Sequence, residues 1–149
     1  MSELVISIAV NVVLGGVLAV LLWRKRAGDP VRLKGAAEAV DTFRRYFPDA
    51  AGTATLSADR RAALIDLGGT IGILERRGRR WNARILVPSE LSRVQSERDG
   101  TITLVFADFG WPRARFRIEE ADARAQWLGR LQSLTTAASS DRYSDLRHA

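Results

Sequence analysis

Residues 113–134 read RARFRIEEADARAQWLGRLQSL, and within them the hydrophobic period changes from two to that of a helix. Ala114, Phe116 and Ile118 alternate with Arg113, Arg115, Arg117 and Glu119, the pattern of a strand with one buried face and one wet face. From Ala121 to Leu134, Ala123, Trp127, Leu131 and Leu134 recur at helical spacing with Leu128 beside them. Glu119, Glu120 and Asp122 sit where they complement the positive end of the helix dipole. A strand that runs directly into a closing amphipathic helix places the chain in the α+β class.

Working back from this junction, Gly110-Trp111-Pro112 turns the chain, and Ile102, Leu104 and Phe106 share one face of a run from Thr101 to Phe109. Asp99-Gly100 is a two-residue turn signal before it. Ala62–Leu67 and Thr70–Glu75 are β-leaning runs separated by Gly68-Gly69. A turn at Arg77-Gly78 leads into Arg79–Val87, where Trp81, Ala83, Ile85 and Val87 alternate with Arg80, Asn82, Arg84 and Leu86. Pro88-Ser89-Glu90-Leu91 reads as a short helical turn or a loop. The expected fold is therefore a strongly bent antiparallel sheet of about six or seven strands, covered at its open end by the C-terminal helix.

The N-terminal part has a different character. Leu4 to Trp23 is a run of 20 residues without a formal charge, long enough at 1.5 Å per residue to cross a hydrocarbon core of about 30 Å. Trp23 falls at interface depth, and Arg24-Lys25-Arg26 follows at once. A membrane anchor, a cleaved signal peptide and a buried core helix compete for this run. Glu3 before it and the basic cluster after it favour the anchor, since a signal peptide carries its positive charge first. The expectation is a single-pass transmembrane helix in the plasma (inner) membrane, with the N-terminus outside and the domain cytoplasmic. Ser7, Asn11, Gly15 and Ala19 recur every four residues as a small or polar stripe, which suits helix–helix contact and a homo-oligomer formed through the anchor.

Beyond Gly28-Asp29-Pro30, residues from about Leu33 to Phe47 read as an amphipathic helix with Ala36, Val40, Phe43 and Phe47 on one face, ended by Pro48. Asp49–Ala54 is small and turn-like, and Thr135–Ala149 is polar and unpatterned, a disordered tail. The expected organisation is thus 1–26 anchor with basic flank, 27–52 linker with a helix, 53–134 domain and 135–149 tail.

The chain has no cysteine, and its one histidine, His148, is the penultimate residue. Thiolate chemistry, cysteine-based metal sites and a serine nucleophile with a histidine base are thereby set aside. Asp66, Asp99, Asp108, Glu119 and Glu120 remain as carboxylates for acid–base work, but turns and a helix start account for most of them. Gly68-Gly69-Thr70-Ile71-Gly72 lacks the Gly-Lys-Ser/Thr ending of a phosphate loop. No enzyme activity, metal or cofactor is expected.

Lys25 and Lys34 are the only lysines among 23 basic residues, and the net charge is +6. Arginine in this excess suits anionic partners, although coding composition alone produces the same bias. Arg76, Arg77, Arg79, Arg80 and Arg84 fall together around the Gly78 turn with no acid after Glu75 in that stretch. They are the candidate site for lipid or partner binding, extended along the linker by Arg24, Lys25, Arg26, Arg32 and Lys34.

The order of consecutive strands closed by one helix, together with Trp127 in Ala125-Gln126-Trp127-Leu128, resembles a pleckstrin-homology-like domain over about Thr53–Leu134. The resemblance implies a platform for headgroups, peptides or protein surfaces, usually without catalysis. It also implies basic residues in an early hairpin of the lipid-binding members, where Arg76, Arg77, Arg79 and Arg80 stand here. The functional expectation is a membrane-tethered, non-catalytic binding or scaffold module with an unidentified protein partner. An anionic-lipid sensor is the alternative, and nucleic acid is less expected although Trp81 and Trp111 lie near arginines.

Overall fold

The computed structural model describes residues 31–145, with side chains through residue 138. All elements belong to the unit Arg32–Ala149. Helix α1 spans Ala36–Arg44, and seven strands follow: β1 Thr53–Leu56, β2 Ala62–Asp66, β3 Ile71–Arg77, β4 Arg80–Ile85, β5 Leu91–Ser96, β6 Thr101–Phe106 and β7 Arg113–Arg117. Helix α2, Ala121–Asp145, comes last.

The strands do not form the single strongly bent sheet expected from their order. They form two sheets, β1-β2-β3-β4 and β5-β6-β7, with every strand pair antiparallel. The reason lies in Val87–Glu90. Pro88 opens a single 3-10 turn, Pro88–Glu90, and Leu91 leaves it already extended, so β5 pairs with β6 instead of continuing across β4. The expected transmembrane helix is corrected as well, because no helix among the described residues is long and apolar enough to cross a membrane. The run Leu4–Trp23, the stripe Ser7, Asn11, Gly15 and Ala19, and the flank Arg24, Lys25 and Arg26 lie outside the described residues.

Two apolar clusters organise the fold. The first lies between the sheets and under α2. It joins Leu64, Ile73, Ile102, Leu104, Phe116 and Leu131, with Trp127 of α2 bonded through Nε1 to Thr55 Oγ1 at 2.9 Å. The second lies on the outer face of the first sheet and joins Leu33, Ala39, Phe43, Ala63, Ile65 and Leu74. Strand β2 supplies both, which is why Ala62, Ala63, Leu64 and Ile65 are all buried and no alternation shows in its sequence.

Helix α1 is thus packed against the sheet. Its covered face is turned from the expected one: Ala39, Val40, Thr42 and Phe43 are buried, while Ala36 is exposed. The tip of the Phe43 ring lies against Gly72, where a Cβ would come within 2.7 Å of it, so a glycine is required for this approach. Helix α2 runs past Leu134, where the sequence reading ended it and began a disordered tail. In this polar stretch Ser133, Thr135 and Thr136 donate their hydroxyls to carbonyls of Arg130 and Gln132 one turn back, and Ala138 is still buried.

Candidate binding surface

The β3–β4 hairpin closes at the pair Arg77↔Arg80 around Gly78-Arg79. Gly78 has φ +59 while Arg79 does not enter the left-handed region, the arrangement of a type II′ turn, which favours glycine in its first central position. Cross-strand partners share a face, so the register sends Arg76 and Trp81 to the α1 side and Arg77, Arg80 and Arg84 to the side that faces the second sheet.

The five candidate arginines divide accordingly. The Arg84 side chain is 15% exposed and ends the inner row Leu64, Ile73, Arg84. Its guanidinium lies 4.4 Å from the Phe106 ring and 5.4 Å from the Trp111 ring, and it pairs with Glu90 at 2.7 Å and Asp108 at 3.6 Å. Its Nη1 is buried without a hydrogen-bond partner. Alternation in the sequence made Arg84 an outward position, yet its cross-strand partner Ile73 lies on the inner face, and Arg84 points with it toward the second sheet.

Arg77 is held in the same way. It pairs with Glu75 at 3.3 Å, donates to the carbonyls of Gly110 and Arg113, and lies 5.4 Å from the Trp111 ring. Trp111 Nε1 donates to Glu75 Oε2 at 2.8 Å, so Glu75, Arg77, Trp111 and Arg84 link β3 and β4 to the β6–β7 loop. Burial raises the Glu75 pKa above the usual carboxylate range, opposed by Arg77 and the Trp111 N–H.

Arg76 is committed more loosely, with Nε donating to Gly78 O at 3.2 Å and the guanidinium 5.4 Å from the Trp81 ring. Arg79 and Arg80 are exposed and have neither an ion pair nor a side-chain hydrogen bond among the described residues. The basic surface offered to solvent therefore consists of Arg79 and Arg80 with Arg76 at its margin, a smaller set than the five residues read from sequence. The joint role of Glu75, Trp111 and Phe106 escaped that reading because the bond from Trp111 to Glu75 spans 36 positions of sequence, beyond the reach of any local pattern.

The carboxylates considered for acid–base work are dispersed. Asp66 accepts the Gly68 N–H and pairs with Arg130 at 2.7 Å, which lowers its pKa through those two bonds. Asp99 accepts from the Thr101 N–H and hydroxyl, likewise lowering its pKa. Asp108 accepts the Gly110 N–H at 2.8 Å. Glu119 and Glu120 are exposed at the α2 start. Among the described residues no group of three His, Cys, Asp or Glu is placed to hold a metal ion.

Two surface grooves flank the hairpin sheet. A largely apolar one of about 550 Å³ is lined by Tyr46, Phe47, Pro48, Ala50, Leu67 and Ile85, with the acidic Asp49 also in its wall. A polar one of about 530 Å³ is lined by Ser57, Asp59, Thr101, Arg115, Arg117 and Glu119. The apolar groove ends at strand β4, where Tyr46 donates its hydroxyl to the Trp81 carbonyl. Compared with family models, curated proteins and solved structures, the chain matches none.

Proposed function

We propose that this chain is a non-catalytic binding module whose β3–β4 hairpin engages an anionic protein partner. The observation that carries the reading is the contrast between Arg77 and Arg84, which are spent on Glu75, Glu90, Asp108 and two aromatic rings, and Arg79 and Arg80, which have no acidic partner among the described residues. A turn held open by Gly78 at φ +59 projects the two unpaired cations from a hairpin that is itself fixed to the second sheet. A fixed base under exposed, unpaired charges is what a docking surface needs.

An anionic lipid surface is the second reading, and the same two arginines favour it. Each basic group near an anionic bilayer contributes about 1 kcal/mol, so Arg79 and Arg80 together supply about 2 kcal/mol, too little to hold a domain by themselves. A protein partner, which adds shape and apolar contact to the same charges, fits this number better.

The test uses the full chain with a photo-crosslinking residue at position 79 in the cells that express it. The expected product is a discrete protein adduct that fades when Arg80 becomes Ser or when salt is raised. Adducts to lipid alone support the second reading, and no adduct of either kind removes both.

A further inference from the structure

Strand β4 is the last strand of its sheet, and its outer backbone has a definite pattern. Leu86 N–H donates to Ile71 O, so in this antiparallel register Leu86, Arg84, Asn82 and Arg80 direct their backbone groups toward β3. Trp81, Ala83 and Ile85 consequently direct theirs away from the sheet. The Trp81 carbonyl is taken by Tyr46, while no backbone partner among the described residues meets Ala83 or Ile85 on that side. Ile85 also lines the groove together with Tyr46, and Tyr46 (48%), Ile85 (36%) and Val87 (43%), two residues beyond Ile85, are exposed apolar side chains. At the other end stand Arg79 and Arg80.

We infer that the free edge of β4 takes an extended peptide segment as an added strand, with an acidic residue beside Arg80 and a bulky apolar residue seated in the groove at Ile85. This rests on the binding-module reading above and names the form of its partner. The backbone of Ala83 and Ile85 supplies the ladder, the groove selects the apolar side chain, and the hairpin selects the acid. Arg80 and Ile85 point to opposite faces of the sheet. A ligand residue facing each of them therefore lies about five positions from the other, on opposite sides of the added strand. Every strand pair among the described residues is antiparallel, and antiparallel addition puts the acid on the C-terminal side of the apolar residue.

A second copy of this chain is a poorer occupant of the same edge. A continuous sheet through two β4 strands needs like faces to match, which gathers the Arg80 and Arg84 rows of both copies on one face of the joined edge and concentrates like charge there. The protein resists self-pairing here while welcoming an acidic strand, which is how charged edges are used elsewhere to control edge-to-edge contact.

The experiment measures fluorescence anisotropy of a labelled synthetic peptide titrated with the full chain. The probe has about ten residues, mostly alternating threonine and valine, with one leucine and two aspartates about five positions C-terminal to it. Controls carry lysine for aspartate or the aspartates on the N-terminal side. Binding of the probe over both controls is expected. Ala83→Pro, which removes an outward N–H at an edge, and Ile85→Lys, which sets a charge in the groove, each weaken it by about tenfold or more. Thermal melting checks that both variants fold, and Ile85→Lys carries the test if the proline does not. Arg79→Ser with Arg80→Ser weakens binding and flattens its salt dependence. If both edge variants bind like the parent while the arginine variant does not, strand addition is overturned and the binding module stands. If the peptide fails and phosphatidylserine vesicles displace a dye from the hairpin, the partner is lipid and both statements about a protein fall. A dimer of the full chain that Ile85→Lys dissolves overturns the peptide in favour of a second copy.

Discussion

The two sheets solve the same problem differently. The outer face of the first is roofed by α1, so that Ala63, Ile65 and Leu74 are as buried there as Leu64 and Ile73 are on the inner face. Among the described residues the outer face of the second is covered mainly by its own polar side chains, with Ser57 and Asp59 beside Thr101, Arg115 and Arg117 at its rim. Arg115 reaches Glu97 at 3.0 Å and Thr103 donates to the same carboxylate at 3.2 Å, which leaves Thr101 and Thr103 buried beneath a polar layer. An apolar outer row demands a covering element, and an arginine row does not. The contrast also explains which sheet carries a free edge with exposed apolar residues, since only the first has a second hydrophobic face for a groove to open from.

The largest effect that separates the sheets is expected at Phe43. It is fully buried, stacks on Phe47 with ring centroids 4.9 Å apart, and contacts Gly72 across the outer face. Phe43→Ala is expected to cost about 3–5 kcal/mol in urea unfolding, the range for a deleted core aromatic. A loss below about 1 kcal/mol would mean that α1 is an accessory and that the first sheet stands without it. A smaller effect is expected at Gly72→Ala. The new Cβ would stand 2.7 Å from Phe43 Cζ and must push the ring aside, an overpacking cost of about 1–3 kcal/mol. Gly72→Ala in a Phe43→Leu background should cost less than the sum of the two single changes, and strict additivity would show that the ring is not what the glycine admits.

These particulars show where the sequence was legible. The alternation of β7 announces itself because one face is wet: Arg113, Arg115 and Arg117 outside, Ala114 and Phe116 inside. Strand β2 shows no alternation because both faces are dry, and its recognition rested on the Gly68-Gly69 turn. Strands β1 and β5 were not read at all. Thr53–Leu56 is too short to display a period, and Leu91–Ser96 is an edge strand in which only Leu91 and Val94 are withdrawn from solvent. The division into two sheets was hidden for a related reason, since Pro88 marks a turn without saying whether the flanking strands pair. At the hairpin the cluster of arginines was plain, but which of them were spent was not. That depended on Glu75, Trp111 and Phe106, whose proximity is a product of the fold.

The bond between the sheets has a pH signature. Burial raises the folded-state pKa of Glu75, so over the range between its unfolded and folded values the folded state binds more proton than the unfolded one. This contribution favours the fold at acid pH and weakens it as pH rises from the ordinary glutamate range toward neutrality. Glu75→Gln keeps an oxygen for the Trp111 N–H and removes the charge. Its stability relative to the parent should therefore improve as pH rises through that window in a series of chemical denaturation curves. Asp66 and Asp99 act with the opposite sign, losing their contribution as pH falls, and both are retained in the variant, so the difference between the curves isolates Glu75. A difference that does not change with pH would show that Glu75 is fully solvated and that the two sheets are not joined by a half-buried carboxylate.

The smallest effect is expected where the second sheet meets solvent. Arg115 and Glu97 approach closely, with one guanidinium nitrogen 3.0 and 3.3 Å from the two carboxylate oxygens, yet their side chains are 62% and 44% exposed. Water and salt screen such a pair, and ordering two long side chains offsets much of the remaining attraction. Arg115→Ser should therefore change stability by no more than about 0.5 kcal/mol, with the difference fading as salt is added. Ile65→Ser, on the outer face of the first sheet, should cost several times as much because it strands a hydroxyl in the cluster with Phe43 and Leu74. The pair of measurements tests whether the outer face of the second sheet is truly wet. If Arg115→Ser costs as much as Ile65→Ser, some further surface must cover the arginine row in the intact protein, and that face becomes a second interface.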